Sequence, residues 1–475
     1  MISGRPQKAS RIEKDLLGEV ELSSDIFYGI QTWRASGNFK LSGTTLSHFP
    51  HLVNALAMVK MATARINKRH KILANRKCEV IERACQMLLQ GHYHSQFVVD
   101  MIQGGAGTST NMNTNEVIAN IGLQLLGCPL GKYEFLHPNN DVNMSQSTND
   151  VYPTAIRLAI LLSTQELLDQ LSALRLSLAA KAEEFSDVLK MGRTQLQDAV
   201  PMTLGQEFHS WDTTLGEDFD RINDNLKLLL EVNLGGTAIG TGINAPSAFG
   251  QDAIRELGKI SGFKFVQAKD LIEASSDMGA FVLFSGLLKR LAIKLSKICN
   301  DLRLLSMGPR AGLNEINLPP VQLGSSIMPG KINPVIPEAV SQVGYQIMGN
   351  DLAISVAAES GQLQLNAMEP LIAYNMLDSI RLLNQAIPML DQRCIQGITV
   401  NQEVCRSQVE NSIGIVTALN PKLGYETASK IAQQALRENR SVIDVVKANA
   451  LLSDHEIQQL LKPENMINPG SVSAI

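Results

Sequence analysis

Four polar segments, rich in glycine and hydroxyl residues, interrupt an otherwise apolar and helical pattern. They are GGAGTSTNMNTNEVIAN (104–120), SQSTND (145–150), GRTQLQDAVPMTLGQE (192–207) and GSSIMPGKINPVIPE (324–338). Each leads into a helical run, and the unsatisfied N–H groups at a helix start attract anions. Helix capping explains any one of these segments alone. Four of them in one chain predict a small substrate with more than one carboxylate.

The first three segments place short polar side chains at or near helix starts. Residues 108–111 precede a helical run that ends at Gly127, and we expect their side chains to cap it. Residues 147–149 precede a long helix with Pro153 in its first turn. In the third segment, a threonine and a glutamine with capping-box spacing put Thr194 and Gln195 in the approach loop.

The fourth segment is a flexible loop with two hydroxyls and one cation. Its GSS (324–326) and GK (330–331) lie ahead of Asn333, a predicted N-cap followed by proline at the first helical position. A phosphate loop needs four residues between its glycines and a hydroxyl after the lysine, whereas here five intervene and Ile332 follows. GGAG (104–107) also lacks the third glycine and the preceding strand of a dinucleotide fingerprint. Nucleotide binding is therefore not predicted.

Long helical periodicity predicts a mainly α fold around these segments. Two apolar seams step by four and three residues, with Thr164 the one polar member. The seams are Ile160, Thr164, Leu167, Leu171, Leu174, Leu178, Ala182, Phe185 and Phe284, Leu288, Leu291, Leu295, Ile298, Leu302, Leu305. We expect further helices at 204–232, 334–358 and 367–392, and a small hairpin near 18–32. The seams are typical of a helical bundle, and they look too long to be covered by one chain.

Length and composition set the domain organisation. The chain has 475 residues, more than one ordinary core, and only 19% are charged. We predict a mixed, mostly helical N-terminal domain (1–145), a central long-helix bundle (146–398) and a small C-terminal helical domain (399–475). The low charged fraction suggests that part of the surface is buried against other subunits.

Several classes of function and site are excluded. A net charge of −4 gives no general electrostatic footprint for nucleic acid. No apolar run approaches the ~20 residues of a membrane span. The N-terminus lacks an apolar signal-type core, so we predict a cytoplasmic protein, in which the six cysteines are reduced and buried. His92 and His94 form an HxH, but a solvated turn explains it better than a metal pair.

The four segments resemble the fumarase/aspartase superfamily. GSSIMPGKINP is similar to the superfamily signature, and GAGTSTNMNTNEVIAN, STND, GRTQLQDAVPMTLGQE and LIEASSDMGAF resemble its aspartase branch. The resemblance runs in order from RIEKDLLG (11–18) to SIGIVTALNP (412–421). It implies a homotetramer with a central twenty-helix bundle, in which each active site is built from three chains. It also implies reversible anti elimination of ammonia from L-aspartate to give fumarate.

The resemblance implies a role for each matching residue. The first serine of the flexible loop, Ser325, removes the proton on the carbon beta to the amine, and Ser326 is a hydrogen-bonding helper. An alkoxide needs backbone N–H donors and a dry site. Glu338 either orients the Lys331 ammonium or is plain surface charge. The remaining implied substrate contacts are Thr108, Ser147, Thr148, Asn149, Thr194, Gln195, Lys331 and Asn333.

One position departs from part of the superfamily. Fumarases and some aspartases have GRTH where this chain has GRTQ (192–195). Gln195 cannot titrate, so it binds by hydrogen bonds but cannot protonate a departing hydroxide, which a hydratase requires. The alternatives are a class II fumarate hydratase and a catalytically silent helical scaffold. No organic cofactor or metal is required for the chemistry; a divalent activator, known for some family members, has no ligand cluster in this sequence.

Overall fold

The computed structural model describes residues 10–467 and is dominated by α-helices. The N-terminal stretch used to exclude a signal peptide lies partly outside these residues. The helices are α1 (Ile30–Asn38), α2 (Pro50–Arg69), α3 (Asn75–Leu89), α4 (Thr108–Leu125), α5 (Thr148–Glu184), α6 (Leu204–Asn225), α7 (Phe249–Ser261), α8 (Gly279–Leu305), α9 (Val335–Glu359), α10 (Glu369–Arg393), α11 (Gln402–Asn411), α12 (Asn420–Leu423), α13 (Tyr425–Glu438), α14 (Val442–Ala448) and α15 (Asp454–Leu460).

The strands of the described part are short and form four two-stranded pairs. They are β1 (Ser10–Asp15), β2 (Gly18–Ser23), β3 (Leu189–Thr194), β4 (Gln197–Thr203), β5 (Glu231–Val232), β6 (Val266–Gln267), β7 (Ile316–Asn317) and β8 (Thr399–Val400). Three pairs are antiparallel, and β5 with β6 is parallel. The prediction of a mainly α fold is confirmed.

Long helices carry the two predicted seams. The longest, α5, has 37 residues and is about 55 Å long at 1.5 Å per residue. From Leu167 to Leu178 its seam leucines are at most 1% exposed, and Phe284, Leu291 and Leu302 of α8 are similarly buried. Since the chain itself covers both seams, the prediction that they are too long for one chain to cover is wrong.

Other apolar side chains do remain uncovered. Tyr345, Leu352 and Val356 follow one another at helical spacing along one face of α9, and they are 54%, 66% and 56% exposed. Such a face contributes to an interface more readily than scattered single residues do. α9 therefore presents an exposed apolar face, whereas the predicted seams are buried.

Element bounds differ from prediction in a few places. The N-terminal hairpin is formed by β1 and β2 rather than by residues 18–32, and α1 begins within that range. The helix expected at 204–232 ends at Asn225, while α9 and α10 lie within two residues of their predicted bounds. Pro153 lies in the second turn of α5, not the first. Proline has no N–H to donate, so it is better tolerated near a helix start than in the interior.

Two compact units divide the chain. The first contains residues up to Leu168, Arg221–Arg290 and Tyr345–Leu383, and the second contains Asp169–Asp220, Leu291–Gly344 and the residues from Asn384 onward. In the second unit, side chains of α11 and α13–α15 form an apolar core that includes Met191 of β3. The three-domain division stays a prediction.

The sequence predicts that the six cysteines are reduced and buried and that no segment spans a membrane. Five of the six cysteines are buried and Cys128 is partly exposed, and all six are unpaired. Between residues 10 and 467 no helix is both long and apolar enough to cross a membrane.

Candidate active site

A tight turn leads into α4 in the first unit. Gly105, Ala106 and Gly107 have φ values of 87°, 53° and 89°. Gly107 also lies so close to Tyr152 that a Cβ would come within 2.3 Å of the aromatic ring. Glycine is therefore required at position 107 by both backbone conformation and space.

Thr108 is the first residue of α4, but its hydroxyl does not cap the helix. Oγ1 donates to Gly105 O at 2.8 Å, and the N-cap is Gly107, without a side-chain cap. The prediction that side chains of residues 108–111 cap α4 is therefore wrong. Because its proton is engaged, the exposed Thr108 hydroxyl presents lone pairs and acts as an acceptor.

Only part of the α4 N-terminus remains to bind an anion. The N–H of Thr108 donates to Gly105 O at 3.0 Å, and that of Thr110 to Gln103 Oε1 at 3.0 Å. The N–H of Ser109 has no partner among residues 10–467. The helix start therefore offers one backbone donor together with the positive end of its dipole.

Ser147 and Thr148, at the start of α5, both keep a hydroxyl proton to donate. The Asn149 N–H donates to Ser147 Oγ, and Asn111 Nδ2 donates to Thr148 Oγ1, each at 3.2 Å. Each oxygen thus accepts one bond, and neither proton is used within the described part of the chain. The bond from Asn111 also joins the first turns of α4 and α5, so these predicted residues lie in one region.

The carboxamide of Asn149 has the opposite polarity. Its Nδ2 donates to Ala238 O at 2.7 Å, while no group in residues 10–467 donates to Oδ1. The carboxamide oxygen of Asn149 is therefore left as an acceptor. This region combines hydroxyl donors, suited to a carboxylate, with acceptors on Asn149 and Thr108, suited to an ammonium group.

Lys60 of α2 binds residues next to this region, and the sequence analysis did not identify it. Its side chain is fully buried, and Nζ donates to Asn143 Oδ1 at 2.8 Å and Gln146 Oε1 at 2.9 Å. Asn143 Oδ1 also accepts from Asn111. Burial lowers the pKa of Lys60 to about 7, although the negative charge of Asp150 acts in the other direction and raises it. The sequence signal that could have identified Lys60 is a lysine within the apolar part of α2.

The hairpin of β3 and β4, in the second unit, carries Thr194 and Gln195. Its two central residues, Gln195 and Leu196, have φ of 54° and 62°, as in a type I′ turn. The predicted capping box is confirmed, since Thr203 Oγ1 accepts from the Gln206 N–H and Gln206 Oε1 from the Thr203 N–H, both at 3.0 Å. Thr194 and Gln195 are exposed at the hairpin tip.

A buried ion cluster supports the base of this hairpin. The fully buried carboxylate of Glu315 pairs with Lys190 at 3.1 Å and with Arg193. Arg193 also donates to Gln408 Oε1 at 2.9 Å. Because an unpaired buried charge is costly, all these partners are needed together. Sequence reasoning missed Glu315, which lies outside the four polar segments.

Residues 324–333, named the base loop here, close on themselves. Gly324 N donates to Lys331 O at 2.9 Å, and Asn333 Nδ2 donates to Gly324 O at 2.6 Å. A Cβ on Gly324 would come within 2.5 Å of Lys331 O, so the closure requires glycine. Inside the loop, Ser325 Oγ accepts from the backbone N–H groups of Ile327 and Met328, at 3.2 and 3.0 Å.

The other predicted residues of the base loop face solvent or lie partly exposed. Ser326 and Lys331 are exposed, and Glu338 is half-buried on the first turn of α9. Asn333 precedes the helix by two residues, so its predicted N-cap position is one residue early. One of the two Asn333 Nδ2 protons is engaged in the loop, and the second is left to bind a carboxylate. Lys331 and Asn333 line a groove of ≈ 700 Å³.

The predicted residues thus form one group in the first unit and two in the second. Among residues 10–467, no hydrogen bond or ion pair joins Thr194 or Gln195 to the base loop. Within the same residues, no three His, Cys, Asp or Glu side chains are grouped to hold a metal ion.

Family models and solved structures define the class of protein. The lyase family model matches residues 18–349, and the model of the fumarase C C-terminus matches residues 415–468. A fumarate lyase:delta crystallin from Brucella melitensis, bound to cobalt, is 55% identical with a TM-score of 0.94, over 97% of this chain and 100% of that one. A class II fumarase from Schistosoma mansoni is 34% identical with a TM-score of 0.93, over 97% and 100%. The fold is that of the fumarase/aspartase superfamily of lyases.

Curated relatives narrow this class. The aspartate ammonia-lyase of Pseudomonas aeruginosa is 63% identical over 98% of this chain and 98% of its own length. That of Helicobacter pylori is 51% identical over 97% and 98%. The chain belongs to the aspartate ammonia-lyase family.

Proposed function

We propose that the chain catalyses the reversible anti elimination of ammonia from L-aspartate to give fumarate, with Ser325 as the base. The observation that carries the proposal is the pair of backbone N–H donors on Ser325 Oγ. The names of relatives up to 63% identical support the choice of substrate. No organic cofactor takes part in the proposed step, and a divalent activator has no assigned site.

The two donors address the weakness of serine as a base. A serine hydroxyl ionises too rarely to remove a carbon-bound proton unless its alkoxide is stabilised. The N–H groups of Ile327 and Met328 point at the oxygen on which that charge develops, and they need no reorganisation during the reaction. The Ser325 alkoxide takes the Cβ proton, the electron pair moves into the adjacent carboxylate to form an aci-carboxylate, and this collapses to fumarate as the C–N bond breaks and ammonia leaves.

Substrate binding follows from the polarity of each group. The Ser147 and Thr148 hydroxyls donate to the carboxylate that becomes the aci-carboxylate, where extra charge strengthens the bonds in the transition state. Thr108 and Asn149, as acceptors, bind the ammonium group. This assigns both Thr108 and Asn149 to the amine rather than to a carboxylate.

The second unit supplies the remaining contacts. Lys331, with Thr194 beside it, binds the other carboxylate, and Asn333 joins them once the base loop closes. Gln195 contributes hydrogen bonds without titrating, which suits an amine that leaves as neutral ammonia. Ser326 supports the loop geometry, and Glu338 orients the Lys331 ammonium.

The proposed enzyme is a cytoplasmic homotetramer whose sites are each shared by three subunits. The exposed apolar face of Tyr345, Leu352 and Val356 on α9 supports association. We propose that the regions of Thr108 and Ser147–Asn149, of Thr194 and Gln195, and of the base loop enter one site from different copies. The partners are small dicarboxylates, with neither nucleic acid nor membrane involved.

A spectrophotometric assay tests the reaction. Purified protein is given L-aspartate, and fumarate is followed by its ultraviolet absorbance; L-malate serves as the control substrate. We expect fumarate from L-aspartate and essentially none from L-malate, because Gln195 cannot act as an acid. Faster fumarate formation from L-malate would overturn the assignment.

A further inference from the structure

A network of buried groups surrounds the main chain and carboxamide of Asn149. Asp150 is fully buried, and its carboxylate accepts from three backbone N–H groups. Ser147 N donates to Oδ1 at 3.0 Å, and Gly235 N and Thr237 N donate to Oδ2 at 2.9 and 3.1 Å. Asp150 therefore ties residues 233–240 to the start of α5.

This attachment positions the Ala238 carbonyl next to the Asn149 side chain. Next to Thr237, Ala238 O accepts from Asn149 Nδ2 at 2.7 Å. From the other side, the buried side chain of Asn233 donates through Nδ2 to Asn149 O at 2.9 Å and to Ser275 Oγ at 3.1 Å. Both the main chain and the carboxamide of Asn149 are thus held by residues 233–240.

The backbone of this segment is held in an unfavourable conformation. Thr237 has φ of 52°, which is a genuine outlier for a β-branched residue. Its Oγ1 is buried and has no hydrogen-bond partner in the described part of the chain. The bond from Thr237 N to Asp150 helps to maintain this conformation, and with it the position of the adjacent Ala238 carbonyl.

We infer that Asp150 and Asn233 are positioning residues that fix the Asn149 carboxamide with its oxygen toward the substrate amine. A carboxamide that is free to rotate would present its NH₂ group to an ammonium as readily as its oxygen. Occupying Nδ2 with the Ala238 carbonyl removes that alternative, so the acceptor is in place before substrate arrives. This inference rests on the proposed function and adds the groups that select an amine at that site.

In the reverse reaction, binding of ammonium and binding of the dicarboxylate can be measured separately. Fumarate and ammonium chloride are supplied to wild type, Asn233→Ala and Asp150→Asn, and KM is measured for each substrate in turn. We expect KM for ammonium to rise about tenfold in both variants, since losing one well-placed hydrogen bond costs about 1.4 kcal/mol. KM for fumarate should stay within about twofold, because the hydroxyls of Ser147 and Thr148 and the Lys331 ammonium are retained, and the remaining carboxamide oxygen in Asp150→Asn still accepts the Ser147 N–H.

Asn225→Ala is the matched control. Asn225 is partly exposed, and its side chain also donates to a main-chain oxygen, that of Arg221, at 2.7 Å. The loss of this side chain should therefore change neither constant. A parallel rise of both constants, or no rise in either, would overturn the positioning role. Asp150→Asn provides the test alone if Asn233→Ala does not fold. A wild-type protein that forms no L-aspartate from these substrates would instead contradict the proposed function.

Discussion

The hydroxyl oxygen of Ser325 lies 3.0 Å from the backbone nitrogen of Met328 and accepts its hydrogen bond. The oxygen is therefore placed as an acceptor in a turn of its own loop, with Ile327 N as a second donor. Ser326, its exposed neighbour, has no comparable pair of donors in the described residues. The two adjacent serines therefore have different hydrogen-bonding surroundings.

Replacing the base should abolish turnover while leaving binding largely intact. Ser325→Ala is expected to lower kcat on the order of a thousandfold or more, because an interaction made only in the transition state is lost. Inhibition by succinate, a dicarboxylate without an amine, should weaken much less. Steady-state kinetics with L-aspartate and succinate measure both effects.

Ser326→Ala is the paired control, with a milder defect expected through loop geometry. Near-normal turnover of Ser325→Ala together with an inactive Ser326→Ala would move the base to Ser326. Activity in both variants would show that a loop serine is not the base at all.

Lys331 should affect binding of the ground state more than the chemical step. Lys331→Ala removes an ionic contact to a substrate carboxylate, so we expect KM for L-aspartate to rise on the order of tenfold to a hundredfold, with a smaller fall in kcat. Lys430→Ala, which removes another exposed lysine, on α13, is the control. A variant with unchanged KM and strongly reduced kcat would mean that Lys331 acts in the transition state instead.

How much the sequence predicts depends on whether a feature is local. Helical periodicity predicts α9 and α10 closely because it is repeated over many turns, and Thr203 with Gln206 predicts a capping box because the motif spans four residues. Lys60 and Glu315 were missed because their partners lie far away in the sequence. Lys60, for instance, contacts Asn143 and Gln146.

The polarity of site residues also depends on distant partners. Sequence reasoning placed Thr108 at a helix start, where a hydroxyl usually caps, but Gly107 takes the N-cap position and Gly105 O takes the hydroxyl proton. Similarly, the acceptor character of Asn149 depends on the Ala238 carbonyl. Residue type and spacing identify these positions, whereas donor or acceptor roles require the three-dimensional contacts.

Glu369, at the start of α10, should make stability depend on pH. Its side chain is 1% exposed, and neither carboxylate oxygen has a hydrogen-bond partner in the described residues. Burial raises the pKa of Glu369 to about 8, although Arg157 favours the charged form. Between the unfolded value near 4.5 and about 8, the folded state binds the extra proton, so this group lowers the free energy of unfolding as pH rises.

Glu369→Gln removes that titration and resembles the protonated acid. We expect the melting temperature of the variant to match wild type near pH 5 and to exceed it progressively up to about pH 8. Thermal unfolding at several pH values measures the difference, and Glu359→Gln, an exposed change on α9, is the control. A constant difference across this range would show that Glu369 does not change protonation on folding.

Shared sites can be tested by mixing two inactive variants. Ser325→Ala and Thr194→Val each damage every site of their own tetramers, but mixed tetramers contain sites in which the intact Ser325 and the intact Thr194 come from different subunits. Random exchange at equal concentrations should restore about a quarter of the sites, because each site then draws the two residues independently.

Mixing Ser325→Ala with Lys331→Ala is the control: both changes fall on the same base loop, so no mixture contains an intact loop. Light scattering establishes that tetramers form, and co-purification of one untagged variant with the other, affinity-tagged variant establishes that the chains have exchanged. Activity in the control above that of its Lys331→Ala component alone, or no recovery in the first mixture despite exchange, would contradict a site in which Thr194 and Ser325 belong to different subunits.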